Sequence, residues 1–406
     1  MPKPIQLERS LSLTQLVLYG LGTTIGAGIY ALVGELAAIA GYYAPVSFLV
    51  ASIMAGLTAL SFAELSGRYP RCAGAALYVK EGFANNRFST VVGLLVISAG
   101  LVSSAALVNA FAGYVHYFIN VEQITVIIVV TCLLGVIAAW GIAESVTIAA
   151  VITLIEIGGL LLIIGVSYPG LTEFPARWRE LVPPLDTGAF GSIYAGSLLA
   201  FYAFIGFEDM VDVAEETKEV KRNLPLAILL TLGITTVLYM LIMITAVLSL
   251  PPETLSASNA ALALLYEHHT GGNAALIGII GMFAIINGAL IQLIMVSRVF
   301  YGLSSRSQLP KALRFVHPST RTPLVATFLA TGIMLVLALI GTLSSLAELT
   351  SIFMLMVFAA VNLALLKIKR RDPAPEDTIV FPSWIPVAGF VVSLGFVISR
   401  LAQYLR

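Results

Sequence analysis

Stretches of about 20 apolar residues recur along almost the whole chain, each long enough for a helix to cross the hydrocarbon core of a bilayer. They fall at 14–40, 44–66, 90–118, 123–141, 146–167, 190–213, 224–250, 272–303, 323–342, 345–366 and 382–404. Only 11% of the 406 residues are charged, against about 25% in an ordinary soluble domain, which argues against a water-soluble enzyme. Lys+Arg and Asp+Glu are both 22, so no net charge points to nucleic acid. Cys72 and Cys132 are too few for a disulfide scaffold or a four-ligand zinc site. His116, His268, His269 and His317 stand at no metal-ligand spacing, and neither metal nor cofactor is expected. The pattern predicts an all-α polytopic membrane protein of about eleven transmembrane helices, one domain over residues 1–406. The first stretch is too long for the apolar region of a cleaved signal and reads as a retained helix.

Basic residues are held on the cytoplasmic side of a membrane. With the N-terminus inside, all but four of the 22 Lys and Arg fall on the cytoplasmic side; Arg177, Arg179, Arg400 and Arg406 are the exceptions. An odd number of spans then leaves the C-terminus outside, and the default location is the plasma membrane.

Two spans read as poor continuous helices. The first places Gly20, Gly22, Gly26 and Gly28 around β-branched Thr23, Thr24 and Ile25, each glycine costing about 1 kcal/mol of helix propensity against alanine. Close packing competes as an explanation, because small residues also let helices approach in lipid. The sixth places Glu208 and Asp209 directly after Gly206, and a carboxylate near mid-membrane is costly unless paired or facing water. A wet position at the helix end is the competing reading there. Spans one and six open two sets of five, and an odd number inverts the second set. Interrupted helices at matching positions of inverted halves point to a transport site where the halves meet. Unwound helix ends offer N–H groups to an anion and carbonyls to a cation, a combination suited to an α-amino acid.

Several segments resemble the amino acid–polyamine–organocation superfamily of permeases. Gly22-Thr-Thr-Ile-Gly-Ala-Gly-Ile29 is similar to its first-helix signature, and Ser61-Phe-Ala-Glu-Leu-Ser-Gly-Arg-Tyr-Pro70 with Ala73-Gly-Ala-Ala-Leu-Tyr78 to its second. Gly206-Phe-Glu-Asp-Met-Val-Asp resembles the sixth-helix signature, and Lys221-Arg-Asn-Leu-Pro225 the loop after it. Ser297-Arg-Val-Phe-Tyr301 and Val316-His-Pro-Ser-Thr-Arg-Thr-Pro323 are similar to the eighth helix and its loop. The resemblance implies a five-plus-five inverted-repeat fold of the leucine-transporter type, an architecture described in general terms for secondary transporters. The repeats would span about 14–167 and 190–366, with spans one and six broken and an extra helix at 382–404. It also implies alternating access to a central amino-acid site. The substrate carboxylate would meet amides around Gly26, Ala27 and Gly28. The ammonium would meet carbonyls of Thr23 or Thr24 and of Tyr202, Phe204 or Ile205, with Ile25 and Gly206 counted among the substrate-binding residues. Ser103 and Asn287 lie on spans that line the family's site. Glu208 matches an acidic position tied to gating or proton linkage, with Asp209 beside it. Two departures stand out. Glu156 occupies the fifth-span stretch where some members carry a coupling lysine, and Ser304-Ser-Arg-Ser-Gln308 lacks an acidic-glycine pair.

Glu156 lies near the middle of its span, where a carboxylate costs much to ionise; a proton carrier and a structural hydrogen-bonded acid are equal readings. Asn109, Asn287, Gln292 and Asn362 lie within spans and read first as interhelical bonds of about 0.6 kcal/mol each. Glu64 beside Arg68 and Arg71 reads as a surface ion pair. Residues 215–222 alternate in charge, either a solvated loop or an inner gate. The span-one glycines make no nucleotide motif. No Lys or Arg lies at mid-depth, which disfavours anionic substrates and leaves neutral or cationic amino acids. The expectation is a secondary permease, not an enzyme, proton-coupled or exchanging. A polyamine or organic-amine carrier is the alternative, and an uncoupled channel or sensor a third.

Overall fold

The computed structural model describes residues 9–71, 74–140, 146–305, 307–373, 375 and 378–404. Lys3, Cys72, Ala73, Arg306 and Arg406 lie outside the described residues. Gly26 and Ala27 are described in their backbone only.

The chain is helical throughout, and the helices begin where side chains can close their free ends. Ser12 and Gln15 form a capping box ahead of α1 (Leu13–Ala40). A 3-10 turn, Gly41–Tyr43, leads into α2 (Ala44–Arg68), with Pro45 in its first turn. After α3 (Gly74–Phe83), the Asn85 side chain accepts from Arg87 and Phe88 N–H to start α4 (Asn86–Phe118). α5 (Gln123–Trp140) and α6 (Val146–Val166) follow, then the short α7 (Tyr168–Thr172) and α8 (Phe174–Arg177). Asp186 caps α9 (Thr187–Tyr202) through Ala189 N–H. Next come α10 (Val220–Ser249), short α11 (Pro252–Ser256), α12 (Ala261–Thr270), α13 (Ala275–Ser305) and α14 (Leu324–Ile340). Thr342 and Ser345 form a second capping box before α15 (Leu343–Arg371), and α16 (Trp384–Tyr404) is the last described helix.

Each apolar stretch read from the sequence falls on helical structure, the one at 190–213 being shared between α9 and a following 3-10 helix. Among the described residues eight helical runs are long and apolar enough to cross a membrane, Leu13–Arg68 counting as one; Ala150–Val166 and Leu324–Ile340 are apolar but shorter. Large apolar side chains face outward along these rods, among them Val129, Leu133 and Val136 on α5 and Leu154 and Leu161 on α6. A soluble monomer rarely exposes such contiguous apolar surface. All three tryptophans, Trp140, Trp178 and Trp384, are exposed near helix ends, as in the aromatic belts of membrane proteins. The protein is therefore an all-α, multi-pass membrane protein.

The first span corrects the sequence reading. α1 winds without interruption from Leu13 to Ala40, through every glycine of the motif. Its glycines make room for neighbours instead. A Cβ on Gly20 would lie 2.4 Å from Met210 Sδ, one on Gly22 2.2 Å from Thr153 Oγ1, and one on Gly28 2.5 Å from the Ala203 backbone. Close approach of rods outweighs the loss in helix propensity.

The sixth stretch behaves differently. α9 stops at Tyr202, and the N–H groups of Ala203, Phe204 and Ile205 turn back by three residues to Ala200, Phe201 and Tyr202. Gly206 then takes φ +125°, and the chain continues as a 3-10 helix over Phe207–Glu216. At the far end of that helix, Leu11 N–H donates to Glu216 and Lys218 N–H to Leu11, an isolated parallel bridge that ties the entry of α1 to it.

Interhelical polar groups are paired across long sequence distances. Asn362 on α15 donates to Thr58 and accepts from Ser61 on α2, while Asn109 on α4 donates to the Ala338 carbonyl on α14. Glu64 is not at the surface. Its side chain is 0% exposed, and it accepts from Arg68, from Lys369 at 2.8 Å and from Phe381 N–H at 2.9 Å.

Candidate functional site

At the bundle centre α1 and the turn after α9 touch backbone to backbone. Thr23 Oγ1 lies 3.0 Å from both the Gly20 and Gly206 carbonyls and donates between them. Thr24 Oγ1 donates to the Gly20 carbonyl. Across the junction the Tyr239 hydroxyl of α10 lies 2.9 Å from the Thr24 carbonyl and 3.0 Å from that of Ala203. Gly206 is required twice over. Its φ suits only glycine, and a Cβ there would sit 2.4 Å from the Thr23 carbonyl oxygen. The Glu208 carboxylate folds back to accept the Gly206 N–H at 2.9 Å.

Two compartments meet beside this junction. The smaller, about 30 Å³, is bounded by Thr23, Thr24, Tyr202, Leu107, Gly288 and Ile291, with room for only a water or two. The larger, about 180 Å³, runs toward the bundle end marked by Gly74 and Asp212 and is lined by Gly100, Met295, Val299, Thr350, Met354 and Glu208 among others. Ser103, Ile205, Asp209 and Gln292 line both, so these four form the neck between them. Ser103 is already engaged, its Oγ 3.1 Å from the Tyr202 hydroxyl. Neither compartment has a Lys, Arg or His among its described lining residues.

The residues singled out in the sequence therefore divide. Thr23, Thr24, Ser103, Tyr202, Ile205, Glu208 and Asp209 come together at the cavity. Ile25 is fully buried in the core, and Phe204 packs between Phe48 and Tyr239. Gly28 and Gly206 act by close approach rather than by lining. Gly26 and Ala27 lie within the unbroken α1, whose geometry commits their N–H groups to the preceding turn; their surroundings lie outside the description. Asn287 is half-buried and is not among the described lining residues, the adjacent Gly288 taking that place. Glu156 is 1% exposed and lies behind α1, near the Tyr30 and Tyr239 hydroxyls, with its backbone carbonyl accepting from Tyr30 at 2.6 Å. Gln292 and Asp212 line the cavity without having been singled out as site residues. Gln292 was read with Asn109, Asn287 and Asn362 as an interhelical amide, and nothing in the sequence separates a lining amide from a structural one.

The structure is thus a multi-pass helical bundle with an internal cavity of mixed polar and apolar lining beside an interrupted helix. A family-wide sequence profile described as amino acid permease matches residues 11–403, and the chain belongs to that family. It is similar to the branched-chain amino acid permease BcaP of Bacillus subtilis (strain 168), 26% identical over 90% of this chain and 82% of the relative. It is also similar to the vacuolar cationic amino acid transporter 4 of Arabidopsis thaliana, 29% identical over 91% of this chain but 65% of that longer protein. The methylthioribose transporter of Bacillus subtilis (strain 168) is 27% identical over 98% of this chain and 89% of its own length. These relatives are transporters and not enzymes.

Proposed function

We propose that this chain is a secondary amino-acid permease that moves neutral or cationic L-amino acids by alternating access, coupled to protons or to exchange. The observation that carries the reading is the pair of compartments beside the junction of Thr23 with the turn at Gly206, whose described polar lining is hydroxyl, amide and carboxylate without a cation. In this reading the fold is a five-plus-five inverted repeat over about 14–167 and 190–366, with 382–404 added outside it. The N-terminus is cytoplasmic, the C-terminus outside and the plasma membrane the location, so the 180 Å³ compartment runs toward the cytoplasm.

The substrate ammonium meets Asp209, the Thr23 hydroxyl and carbonyls of the turn from Tyr202 to Gly206. The carboxylate meets Gly26, Ala27 and Gly28 once α1 opens locally, a step that a glycine-rich turn makes inexpensive. Glu208 and Asp209 gate the neck, and Glu156, on the far side of Tyr239, carries the proton. Replacing Glu156 with Gln then alters the pH dependence of uptake, whereas unchanged dependence at normal rate assigns it to packing.

The deciding experiment is uptake of a radiolabelled amino-acid panel by proteoliposomes, with and without an imposed pH gradient. Saturable, trans-stimulated uptake of a neutral or cationic amino acid supports the reading. Linear, non-saturating flux replaces it with a channel. The methylthioribose relative gives a reason to add sugar and amine solutes to the competition panel, since a solute without a carboxylate gains nothing from the α1 amides.

A further inference from the structure

The corner between α2 and α3 forms one wall of the larger compartment. Gly74, Ala75 and Ala76, the first residues of α3, line it. The other end of α3 is fastened to α15. Arg371 donates to the Glu81 and Gly82 carbonyls at 2.6 and 3.1 Å, and Lys367 Nζ stands 4.0 Å from the centre of the Phe83 ring. A Cβ on Gly82 would lie 2.6 Å from that of Ala364. The near end of α3 follows α2, and the last turns of α2 are held by charge. On the permease reading above, we propose that the Glu64–Lys369 ion pair and residues 378–381 form a latch. Closed, it holds the corner of α2 and α3 against α15; released, it lets that corner move and widens the compartment for the solute.

The latch is built around one buried acid. Lys369 Nζ lies 2.9 and 2.8 Å from the two carboxylate oxygens of Glu64. Phe381 completes the ring through its backbone: its N–H donates to Glu64 at 2.9 Å and its carbonyl accepts from Lys369 at 2.6 Å. Arg68, one turn after Glu64, donates to the same carboxylate and to the Asp372 carbonyl, both at 2.7 Å. Glu64 thus grips α15, its own helix and the segment that enters α16. Three residues further along α2, Gly67 lets that segment lie flat, since a Cβ there would sit 2.9 Å from Thr378 Cγ2.

Both the place and the chemistry suit a contact that opens. α2 packs chiefly on α10 and α9, and α15 chiefly on α4, α16 and α3, while α16 also touches α2. The ion pair therefore joins two differently packed groups of helices. A buried ion pair returns in attraction roughly what its desolvation costs, so water entering at a parted corner replaces most of what is lost. Gly74 supplies the joint. It takes φ +57°, a conformation that glycine adopts freely, at the point where α3 would turn about its anchored far end.

Gly67 and Thr378 supply the test, because their Cβ atoms would be 3.8 Å apart, a separation that suits a disulfide. In a C72A/C132A background, G67C/T378C is oxidised, reconstituted in proteoliposomes and assayed with the panel amino acid that the wild type takes up fastest. Bridging should lower uptake by about tenfold or more, and reduction should restore the background rate. Equal uptake by the bridged and reduced forms overturns the latch. So does failure of the two thiols to oxidise, since the contact would then be absent. If the C72A/C132A protein shows no saturable uptake of any panel member, the permease reading falls and the latch falls with it. If G67C/T378C does not fold, K369M is added to a C72A/C132A/A75C protein. It should speed maleimide labelling of the A75C thiol about fivefold, and an unchanged rate overturns the latch equally.

Discussion

Gly206 and Glu64 show two ways in which one residue sets a membrane protein's geometry. At Gly206 the constraint is steric: a positive φ and a neighbouring backbone oxygen 2.4 Å from where a Cβ would sit. A left-handed conformation costs an L-residue about 1–3 kcal/mol, and a backbone obstacle cannot swing aside as a side chain can. Gly206→Ala is therefore expected to separate α1 from the turn and to lower transport more than about tenfold, since small misplacements at a working site are costly. Initial uptake rates, normalised to protein in the membrane, check this. At Glu64 the constraint is electrostatic. Removing one partner of a buried ion pair typically costs about 3–5 kcal/mol. Lys369→Met leaves Glu64 with Arg68 and the Phe381 N–H, so a cost nearer about 2 kcal/mol is expected here. Combining it with Glu64→Gln leaves the buried Arg68 side chain without its carboxylate, so the double variant should be less stable than Lys369→Met alone. Its loss should still fall short of the summed single losses, because the Glu64–Lys369 contact is lost only once. Thermal unfolding of the two single variants and the double in detergent decides, and additive losses would contradict a coupled pair.

Among the elements outside the spans, α12 should respond to mild acid. It lies between α10 and α13, outside the spans, and ends in His268 and His269, whose rings are 5.1 Å apart. Burial, and then the neighbouring His268, hold the His269 pKa below its ordinary value. The unfolded chain thus takes up a proton at higher pH than the folded one. The stabilisation is complete above about pH 6.5 and is lost as pH falls through the lowered folded value. A Tm-against-pH series should show that acid-side fall in the wild type and a shallower one in His269→Gln. The helices themselves were legible because twenty apolar residues in a row admit almost no other structure in lipid. The break near Gly206 was legible because two acids follow it. The continuity of α1 was not, since a glycine run reads the same whether it loosens a helix or admits a neighbour, and only Met210, Thr153 and Ala203 decide between them. Likewise Glu64 and Lys369 are 305 positions apart, beyond any local pattern, so a buried pair looked like a surface one.

For the molecule as a whole, the permease reading makes the charge of the cavity a tighter constraint on cargo than its shape. The compartment at the junction is too small for an amino acid as it stands, about 30 Å³, and it widens into 180 Å³ past a neck of Ser103, Ile205, Asp209 and Gln292. On the permease reading proposed above, a solute crossing the protein passes Asp209, with Glu208 and Asp212 lining the larger compartment beyond it. In a low-dielectric passage like charges repel strongly and opposite charges attract, so the described lining opposes aspartate and glutamate and favours solutes with a neutral or positive side chain. Aspartate and glutamate are accordingly expected not to compete with a transported neutral or cationic amino acid. Gln292→Lys tests the cause rather than the outcome. It sets an ammonium across the neck from Asp209 without altering the junction of α1 with Gly206. If electrostatics selects the cargo, inhibition by lysine should weaken by about tenfold or more beyond any weakening for leucine, because leucine brings only the α-ammonium that both share while lysine brings a second cation. Equal weakening of both would mean that the substitution blocks the neck by bulk, and selection by charge would then have to reside elsewhere.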